Sequence, residues 1–144
     1  MLTHDLHIHS LHSLCGTMSL GEIVGHAQRK GLQAIAITDH GLAMEVHRFH
    51  YHVFCKRHPA RVGGLRVLKG LELNIVDAQG EVDIPAELVD VFDVIAFGLH
   101  PVGDLFRGAD ATANTDALLR TLDRHPFLDV LVHPTQRSHP LDFD

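Results

Sequence analysis

Several features are scarce in this sequence, and each scarcity excludes a class of protein. No stretch of about 18 consecutive apolar residues occurs, so we expect neither a membrane-spanning helix nor a membrane partner. The opening residues, Met1 to His9, lack the basic and apolar blocks of a signal peptide, which predicts a cytoplasmic protein. The two cysteines, Cys15 and Cys55, are too few for a disulfide framework, so each can be a free thiol or a metal ligand.

Basic residues are outnumbered as well. The chain has 12 Lys and Arg against 18 Asp and Glu, a formal net charge of -6, which argues against general binding to nucleic-acid backbones. The residue type in excess is histidine, with 14 copies beside one tyrosine and no tryptophan. A histidine surplus indicates metal binding before any other function. A negatively charged chain suits divalent cations because each cation offsets two negative charges. The 144 residues, 45% hydrophobic, predict a single domain over residues 1–144.

Short apolar runs that alternate with helical patterns predict an α/β fold built on a parallel sheet. The five predicted strands are Asp5–His9, Leu32–Thr38, Val67–Val76, Val94–Gly98 and Leu128–Val132. A helix is predicted from about Leu20 to Lys30, where Ser19 and Glu22 form a capping box. A second helix, over about 115–123, has two candidate N-cap residues, Thr112 and Asn114. A hairpin turn at 77–80 predicts a short antiparallel strand at 81–84.

Functional side chains stand where the predicted strands end. In the first strand, period-2 alternation places His7 and His9 on one face and Leu6 and Ile8 on the other. Three further strands run into a histidine and one carries a carboxylate among apolar neighbours; these residues are His40, His100, His133 and Glu72. Because parallel strands end at one mouth, these scattered residues are expected to meet in space. A buried glutamate without partners is costly, so the set predicts a transition-metal site.

The same residues and their neighbours resemble a known family. The motifs are His7-x-His9, Ile37-Thr38-Asp39-His40-Gly41, Gly70-Leu71-Glu72, His100 and His133-Pro134, together with Ala27-Gln28-x-Lys30-Gly31 and Gly80-Glu81-x-Asp83. In this order and at these separations they resemble the PHP (polymerase and histidinol phosphatase) superfamily, and within it bacterial phosphatases of the YcdX type, from about Asp5 to Pro134. The resemblance implies a distorted (β/α)7 TIM-like barrel, of which this chain has about five strands.

The resemblance also implies a centre of up to three divalent ions, usually zinc and in some members manganese or iron. Carried over to this chain, the ligands are His7 and His9 for one metal, His40 for a second, Glu72 as a bridge, His100 for a third and His133 within the cluster. The implied reaction is hydrolysis of a small phosphomonoester by attack of a metal-bound hydroxide. Such a hydroxide is available near pH 7 because the ions lower the pKa of bound water.

Two residues beside the predicted ligands have open roles. Asp39 is a candidate catalytic residue that orients a ligand or carries a proton, while capping of the turn after its strand is an equally good interpretation. Cys15 stands where the family usually has a histidine. A thiolate binds zinc at about 2.3 Å and favours soft metals, but a free cysteine is also often an inert small hydrophobe. His12 is a second candidate ligand in the same loop. Three further histidines are expected to be solvated or to cover the barrel mouth: His47, His50 and His52.

The chain departs from the family after its fifth strand. The family closes its barrel with further β/α units and an Asp-x-His pair, and neither follows His133-Pro134 in this sequence. Either the chain is a fragment, or a partner such as a second copy in a homo-oligomer covers the open barrel edge, or the fold is rearranged. The residues that can substitute as ligands are His139, Asp142 and Asp144.

Two classes of function follow from these features. The first is a metal-dependent phosphoesterase acting on a small phosphorylated substrate, such as a nucleotide or sugar phosphate; histidinol phosphatase belongs to the same superfamily and stays open. The second is a PHP-derived metal-binding or interaction module that has lost turnover together with the Asp-x-His ligands. A polymerase-associated exonuclease is disfavoured, because the chain is acidic and carries no polymerase sequence.

Overall fold

Five parallel strands form the central sheet of the computed structural model, which describes residues 2–44, 58–102, 106 and 110–143. The elements in chain order are β1 (His4–Ile8), α1 (Leu20–Arg29), β2 (Ala34–Ile37), β3 (Arg61–Val62), β4 (Leu65–Asn74), a 3₁₀ helix (Ala86–Val91), β5 (Val94–Gly98), α2 (Ala111–Arg124) and β6 (Val130–Leu131). The parallel strands lie in the order β1-β2-β4-β5-β6, and β3 pairs antiparallel to β4. The predicted α/β class with a parallel sheet is confirmed.

The sheet amounts to about half of a barrel. Each parallel strand pairs with its neighbour in the series, and β1 and β6 stand at the two ends of that series. In the described part of the chain these two strands do not pair with each other. The expectation of about five barrel strands with an open edge is therefore confirmed. No helix among the described residues combines the length and apolar character needed to cross a membrane.

Helix α1 forms where local sequence rules place it. The Ser19 hydroxyl accepts a hydrogen bond from the Glu22 backbone N–H at 3.3 Å, and the Glu22 carboxylate accepts one from the Ser19 N–H at 2.8 Å. This capping box satisfies two N–H groups that the helix itself cannot pair. Gly31 ends the helix with a positive φ of 70°, a backbone conformation that glycine adopts without a steric penalty.

Two apolar clusters join the helices to the sheet. In the first, residues of α1 pack against β2 and β4, and in the second, residues of α2 pack against β4 and β5. Ile35, Ile37 and Leu73 are fully buried. Each such side chain contributes about 1.5–3 kcal/mol through removal of apolar surface from water. These clusters fix the sheet as a rigid platform for the residues at its carboxyl edge.

Strand β1 departs from the simple alternation that the sequence predicts. Asp5 aligns with Ile35 and Ile8 aligns with Ile37, so β1 carries one residue more than β2 over this stretch. As a result Ile8 packs into the α1 cluster, whereas Leu6 is 38% exposed and lines a groove with residues of β2 and β4. The prediction that Leu6 and Ile8 share a face is wrong, because such an insertion shifts the phase of a strand.

Helix α2 begins four residues before its predicted start. Asp110 is its N-cap residue, and the Asp110 carboxylate accepts a hydrogen bond from the Ala113 N–H at 2.7 Å. The predicted caps lie inside the helix. Asn114 is fully buried and its amide donates to the Pro140 carbonyl at 2.9 Å, so its polarity serves a tertiary contact. The cap prediction for Asn114 is wrong because the sequence around it does not reveal that its side chain is buried.

Other predicted features lie close to their observed positions or outside the described residues. The predicted strand at 81–84 is reduced to an isolated bridge between Ile75 and Val82. The predicted fifth strand is shortened to the two residues of β6. His47, His50, His52, Cys55 and Asp144 lie outside the described residues.

The cap assignment predicts a stability difference between two neighbouring variants. Asp110→Ala removes the side chain that satisfies the Ala113 N–H and should lower the free energy of unfolding by about 1 kcal/mol. Urea denaturation followed by circular dichroism measures this change. Thr112→Ala is the matched control, since Thr112 is an exposed residue in the first turn and its loss should cost less than about 0.5 kcal/mol. A larger loss from Thr112→Ala than from Asp110→Ala would contradict the assignment.

Candidate metal centre

The carboxyl ends of the parallel strands meet around Glu72. Glu72 lies in β4 and is fully buried. The backbone of His40, just beyond β2, pairs with that of Glu72 in an isolated parallel β-bridge. In this bridge the Gly41 N–H donates to the Glu72 carbonyl at 2.7 Å. His9 follows β1, while His100 and His133 follow β5 and β6. Each strand of the parallel sheet thus brings a histidine or a carboxylate to one edge.

The Glu72 carboxylate is the centre of this arrangement. Its Oε1 atom lies 2.7 Å from His133 Nε2, 2.9 Å from His100 Nε2 and 3.7 Å from His7 Nε2. Its Oε2 atom lies 3.0 Å from both His9 Nε2 and His40 Nδ1. The imidazole nitrogens of five histidines therefore converge on one buried carboxylate. These five histidines and Glu72 are six of the predicted ligands, and the structure brings all six together.

Electrostatics keep Glu72 charged and two of the histidines neutral. Burial by itself would raise the pKa of Glu72, but hydrogen bonds from His100, His133 and His9 outweigh burial and hold that pKa well below its usual range. Burial lowers the pKa of His40 to about 4, although the Glu72 charge opposes this shift. Burial also lowers the pKa of His7. Near neutral pH His40 and His7 are therefore neutral imidazoles, the form that binds metals.

The side chains fall into three groups that suit metal ions. The groups are His9, Cys15 and His40; His7, Glu72 and His133; and His40, Glu72 and His100. In each group the ligand atoms lie within 4.8 Å of one another. Imidazole nitrogens with a carboxylate or a thiolate are donors that zinc and similar transition metals prefer, whereas magnesium and calcium prefer oxygen. The donor set therefore fits transition-metal ions.

Cys15 reaches the centre from the loop between β1 and α1. The loop closes through two successive turns, in which the Ser13 N–H donates to the Ser10 carbonyl and the Gly16 N–H donates to the Ser13 carbonyl, both at 3.0 Å. A Cβ atom on Gly16 would lie 1.9 Å from the Ser10 carbonyl oxygen, so the loop requires glycine here. His12 is exposed and belongs to none of the groups found among the described residues.

Asp39 contacts the loop between β1 and α1. It is buried, and its carboxylate accepts hydrogen bonds from the Ser10 N–H and the Ser10 hydroxyl at 2.7 Å each and from the Ser13 hydroxyl at 2.9 Å. Asp39 is in none of the three groups that the described residues form. Its contacts tie the end of β2 to the loop that carries Cys15.

Sequence patterns missed the residues that orient the ligands. The Thr38 hydroxyl lies 2.9 Å from His7 Nδ1, and the Ser13 hydroxyl lies 3.3 Å from His9 Nδ1. His133 adopts a φ of 34°, which is uncommon outside glycine. A Cβ atom on Gly98 would lie 2.8 Å from its ring, so Gly98 leaves room for this ligand. In the sequence, Thr38 and Ser13 each stand two residues before a predicted ligand, His40 and Cys15. Hydroxyl residues so close to predicted ligands could have identified both as candidates for orienting them.

Asp83 fixes the loop that follows His40. Its carboxylate accepts hydrogen bonds from the Ala43 N–H at 2.7 Å and from the Asn74 N–H at 2.8 Å. The loop after β2 is thereby held against the end of β4, two residues beyond Glu72. Asp83 therefore stabilises the relative positions of two predicted ligands.

The residues after β6 contribute less directly. His139 is buried, and burial together with the nearby His100 and His133 lowers its pKa. The Asp142 N–H donates to the Thr115 hydroxyl at 2.9 Å, which anchors this segment to α2. Neither residue belongs to the groups that the described residues form, so their suggested role as substitute ligands stays a prediction.

Comparisons with known proteins show which proteins this chain is similar to. The chain is 34% identical over 140 residues to "Probable phosphatase YcdX" of Escherichia coli O127:H6, covering 96% of this chain and 56% of that protein. It is also 34% identical over 141 residues to a "Probable phosphatase" of Syntrophotalea carbinolica, covering 97% of this chain and 58% of that protein. The chain thus spans a little over half the length of these relatives.

The chain also matches a solved structure and the sequence pattern of a protein family. The crystal structure of histidinol phosphate phosphatase from Lactococcus lactis, complexed with zinc, L-histidinol and phosphate, aligns with a TM-score of 0.47 and 20% identity. That alignment covers 84% of this chain and 52% of the other. The pattern of the PHP domain matches residues 5–133, nearly the whole chain. The chain belongs to the PHP domain family.

Proposed function

We propose that the cluster around Glu72 binds up to three divalent transition-metal ions, with zinc as the expected ion and manganese or iron as alternatives. The observation that carries this proposal is the convergence of five imidazoles on one fully buried carboxylate. The proposed ligands are His7, His9, Cys15, His40, Glu72, His100 and His133. Cys15 would make one of the three positions softer than the others, because a thiolate prefers zinc to manganese.

The proposed activity is hydrolysis of small phosphomonoesters. Divalent ions held here would lower the pKa of bound water and neutralise phosphoryl oxygens. Within the described cluster, Glu72 is the sole carboxylate, and the surrounding imidazoles bring no negative charge. The ligand set therefore leaves the bound cations largely uncompensated, which favours an anionic group such as a phosphate. The names of the E. coli and Syntrophotalea relatives, both probable phosphatases, support the same activity.

Access to the centre is proposed to lie between His7 and His133. The side chains of these two residues are 33% and 32% exposed, whereas that of His100 is 6% exposed. A phosphoryl group entering there would meet the centre at its open side. Asp39 is buried, and its carboxylate is occupied by hydrogen bonds from Ser10 and Ser13, which supports a role in orienting ligands over a role as proton carrier.

A second candidate is a cation-binding module without turnover. It is favoured by the ligand groups themselves, since the described residues after β6 supply His133 and no carboxylate to them. Edge strands β1 and β6 also leave the sheet open, and a further segment or a second copy in a homo-oligomer is proposed to cover that edge. Turnover distinguishes the two candidates, because both require bound cations.

The proposal predicts how much metal each variant retains. After dialysis against zinc and then zinc-free buffer, Glu72→Gln should lose most of the ions bound by the unmodified chain, since Glu72 belongs to two of the three groups. Cys15→Ser should lose no more than one ion. Inductively coupled plasma mass spectrometry of the dialysed protein measures the number of ions per chain.

The matched control for metal content is His26→Ala. His26 is an exposed histidine on α1 and belongs to none of the three ligand groups that the described residues form, so its loss should leave the zinc content unchanged. Equal losses from His26→Ala and Glu72→Gln would mean that the zinc binds to surface histidines. That result would overturn the proposed centre.

The proposed activity predicts chelator-sensitive cleavage of p-nitrophenyl phosphate. Removal of metal with EDTA should abolish release of p-nitrophenol, and added zinc should restore it. Glu72→Gln should reduce the rate by more than about 100-fold, because loss of an outer partner of a ligand alone costs about 10–100-fold. Full zinc occupancy without cleavage would contradict the phosphatase proposal and favour the cation-binding module.

A further inference from the structure

The side chain of Asp83 joins the loop that follows His40 to strand β4. On the loop, the Asp83 carboxylate accepts a hydrogen bond from the Ala43 N–H at 2.7 Å. On β4 it accepts two from Asn74, one from the backbone N–H at 2.8 Å and one from the side-chain amide at 2.5 Å. Asn74 is fully buried and Asp83 is half-buried, so water competes little for the bonds to Asn74. Hydrogen bonds to an ionised carboxylate are stronger than those between neutral groups.

Gly41 shows how closely this carboxylate approaches the loop. A Cβ atom on Gly41 would lie 2.5 Å from both carboxylate oxygens of Asp83 and 2.7 Å from the carboxylate carbon. These separations are much shorter than van der Waals contact, so only glycine fits while the carboxylate keeps its place. Gly41 does not adopt a positive φ, so the requirement for glycine comes from this close approach alone.

The backbone between these contacts carries the pairing of His40 with Glu72. In that bridge the Gly41 N–H donates to the Glu72 carbonyl at 2.7 Å, and the Glu72 N–H donates to the carbonyl of the residue before His40 at 3.0 Å. Strand β2 ends at Ile37, so the bridge lies beyond the regular ladder between β2 and β4. It therefore depends on contacts outside that ladder, and Asp83 supplies them on the residues that follow His40.

The segment that carries Asp83 is itself anchored on α2. The Arg120 guanidinium donates to the Ala78 carbonyl at 2.8 Å, and His125 Nε2 lies 3.0 Å from the Gly80 carbonyl oxygen. Gly80 also approaches the helix closely, because a Cβ atom on it would lie 2.5 Å from a backbone nitrogen of α2. A segment fixed in this way gives the Asp83 carboxylate a firm base from which to hold the loop.

We propose that Asp83 is a positioning residue that holds residues 41–43 against β4 and so keeps the bridge between His40 and Glu72 closed. The bridge fixes the backbone from which both side chains reach the centre, where His40 Nδ1 lies 3.0 Å from Glu72 Oε2. Between them, His40 and Glu72 take part in all three ligand groups. The inference rests on the proposed function in that it takes His40 and Glu72 to be ligands.

Native-state hydrogen exchange, followed by NMR on the metal-free chain, measures how often the bridge opens. Asp83→Ala should speed the exchange of the Gly41 and Glu72 amides by about 10-fold or more, because it removes hydrogen bonds to a charged group. Asp129→Ala is the matched control, since the Asp129 carboxylate accepts from the Ile95 N–H at 2.8 Å, near the start of β5. It removes the same kind of bond at the opposite end of the strands and should leave both amides nearly as slow as in the unmodified chain.

Gly41→Ala provides a second readout on the metal-free chain. In the presence of Asp83 the new Cβ atom collides with the carboxylate and should lower the urea midpoint of unfolding. In the Asp83→Ala background the collision is gone, so the same substitution should lower the midpoint by less than about half as much, as expected for residues in contact. If Asp83→Ala does not fold, Asp83→Asn carries the exchange test, because it keeps the size of the side chain but replaces one accepting oxygen by a donor.

Zinc affinity connects this contact to the proposed centre. Asp83→Ala should weaken zinc binding by about 10–100-fold, the usual cost of losing a residue that orients ligands. Asp129→Ala should weaken it by less. Neither residue belongs to the ligand groups that the described residues form, so a difference between the two variants reports the positioning of ligands.

Two results would overturn the inference. One is equal acceleration of Gly41 exchange in Asp83→Ala and Asp129→Ala, which would mean that Asp83 contributes general stability alone. The other is a cost of Gly41→Ala that is the same with and without the Asp83 carboxylate. A chain that binds no zinc would contradict the proposed centre, whereas exchange of the Gly41 amide would still decide whether Asp83 holds the bridge closed.

Discussion

Burial of the Glu72 carboxylate is the constraint on which the rest of the site depends. An isolated charge in the interior of a protein is strongly destabilising, and β4 places this one where no water reaches it. Five imidazoles surround it, and hydrogen bonds from His100, His133 and His9 keep its pKa below the ordinary range in spite of burial. A ring of imidazole nitrogens around a fixed negative charge is also a set of ligands. The same arrangement that makes the buried carboxylate tolerable thus prepares it for cations.

The parallel sheet explains how residues separated by more than 120 positions form one centre. All five strands run in the same direction, so their carboxyl ends lie along one edge. The imidazole rings of His7, in the first strand, and of His133, just beyond the last strand, lie 6.1 Å apart, so both edges of the sheet contribute side chains to the same centre. Helices α1 and α2 pack against this sheet through the two apolar clusters. Loop residues such as Ser13 and Asp83 then set the orientation of individual ligands.

The sequence was most informative where the determining interactions are local or where strand direction alone matters. The Ser19 and Glu22 capping box was predicted because both partners lie within one turn, and the meeting of strand-end histidines followed from parallel direction. The start of α2 was missed because Asn114 is polar for a tertiary reason, a contact with Pro140. The sequence does not predict the extra residue in β1 or the hydrogen bond from Ser13 to Asp39, because both depend on neighbours distant in the chain. Spacing identifies residues able to bind metal, while three-dimensional contacts decide how each one is held.

The proposed metal centre is tested most directly by X-ray diffraction from crystals of this chain grown with saturating zinc, recorded at energies on either side of the zinc absorption edge. A metal centre at Glu72 predicts anomalous peaks between the Glu72 carboxylate and the surrounding imidazoles, up to three in number and within about 2.0–2.3 Å of their ligand atoms. Peaks confined to exposed histidines such as His4 and His26, with none beside Glu72, would contradict it.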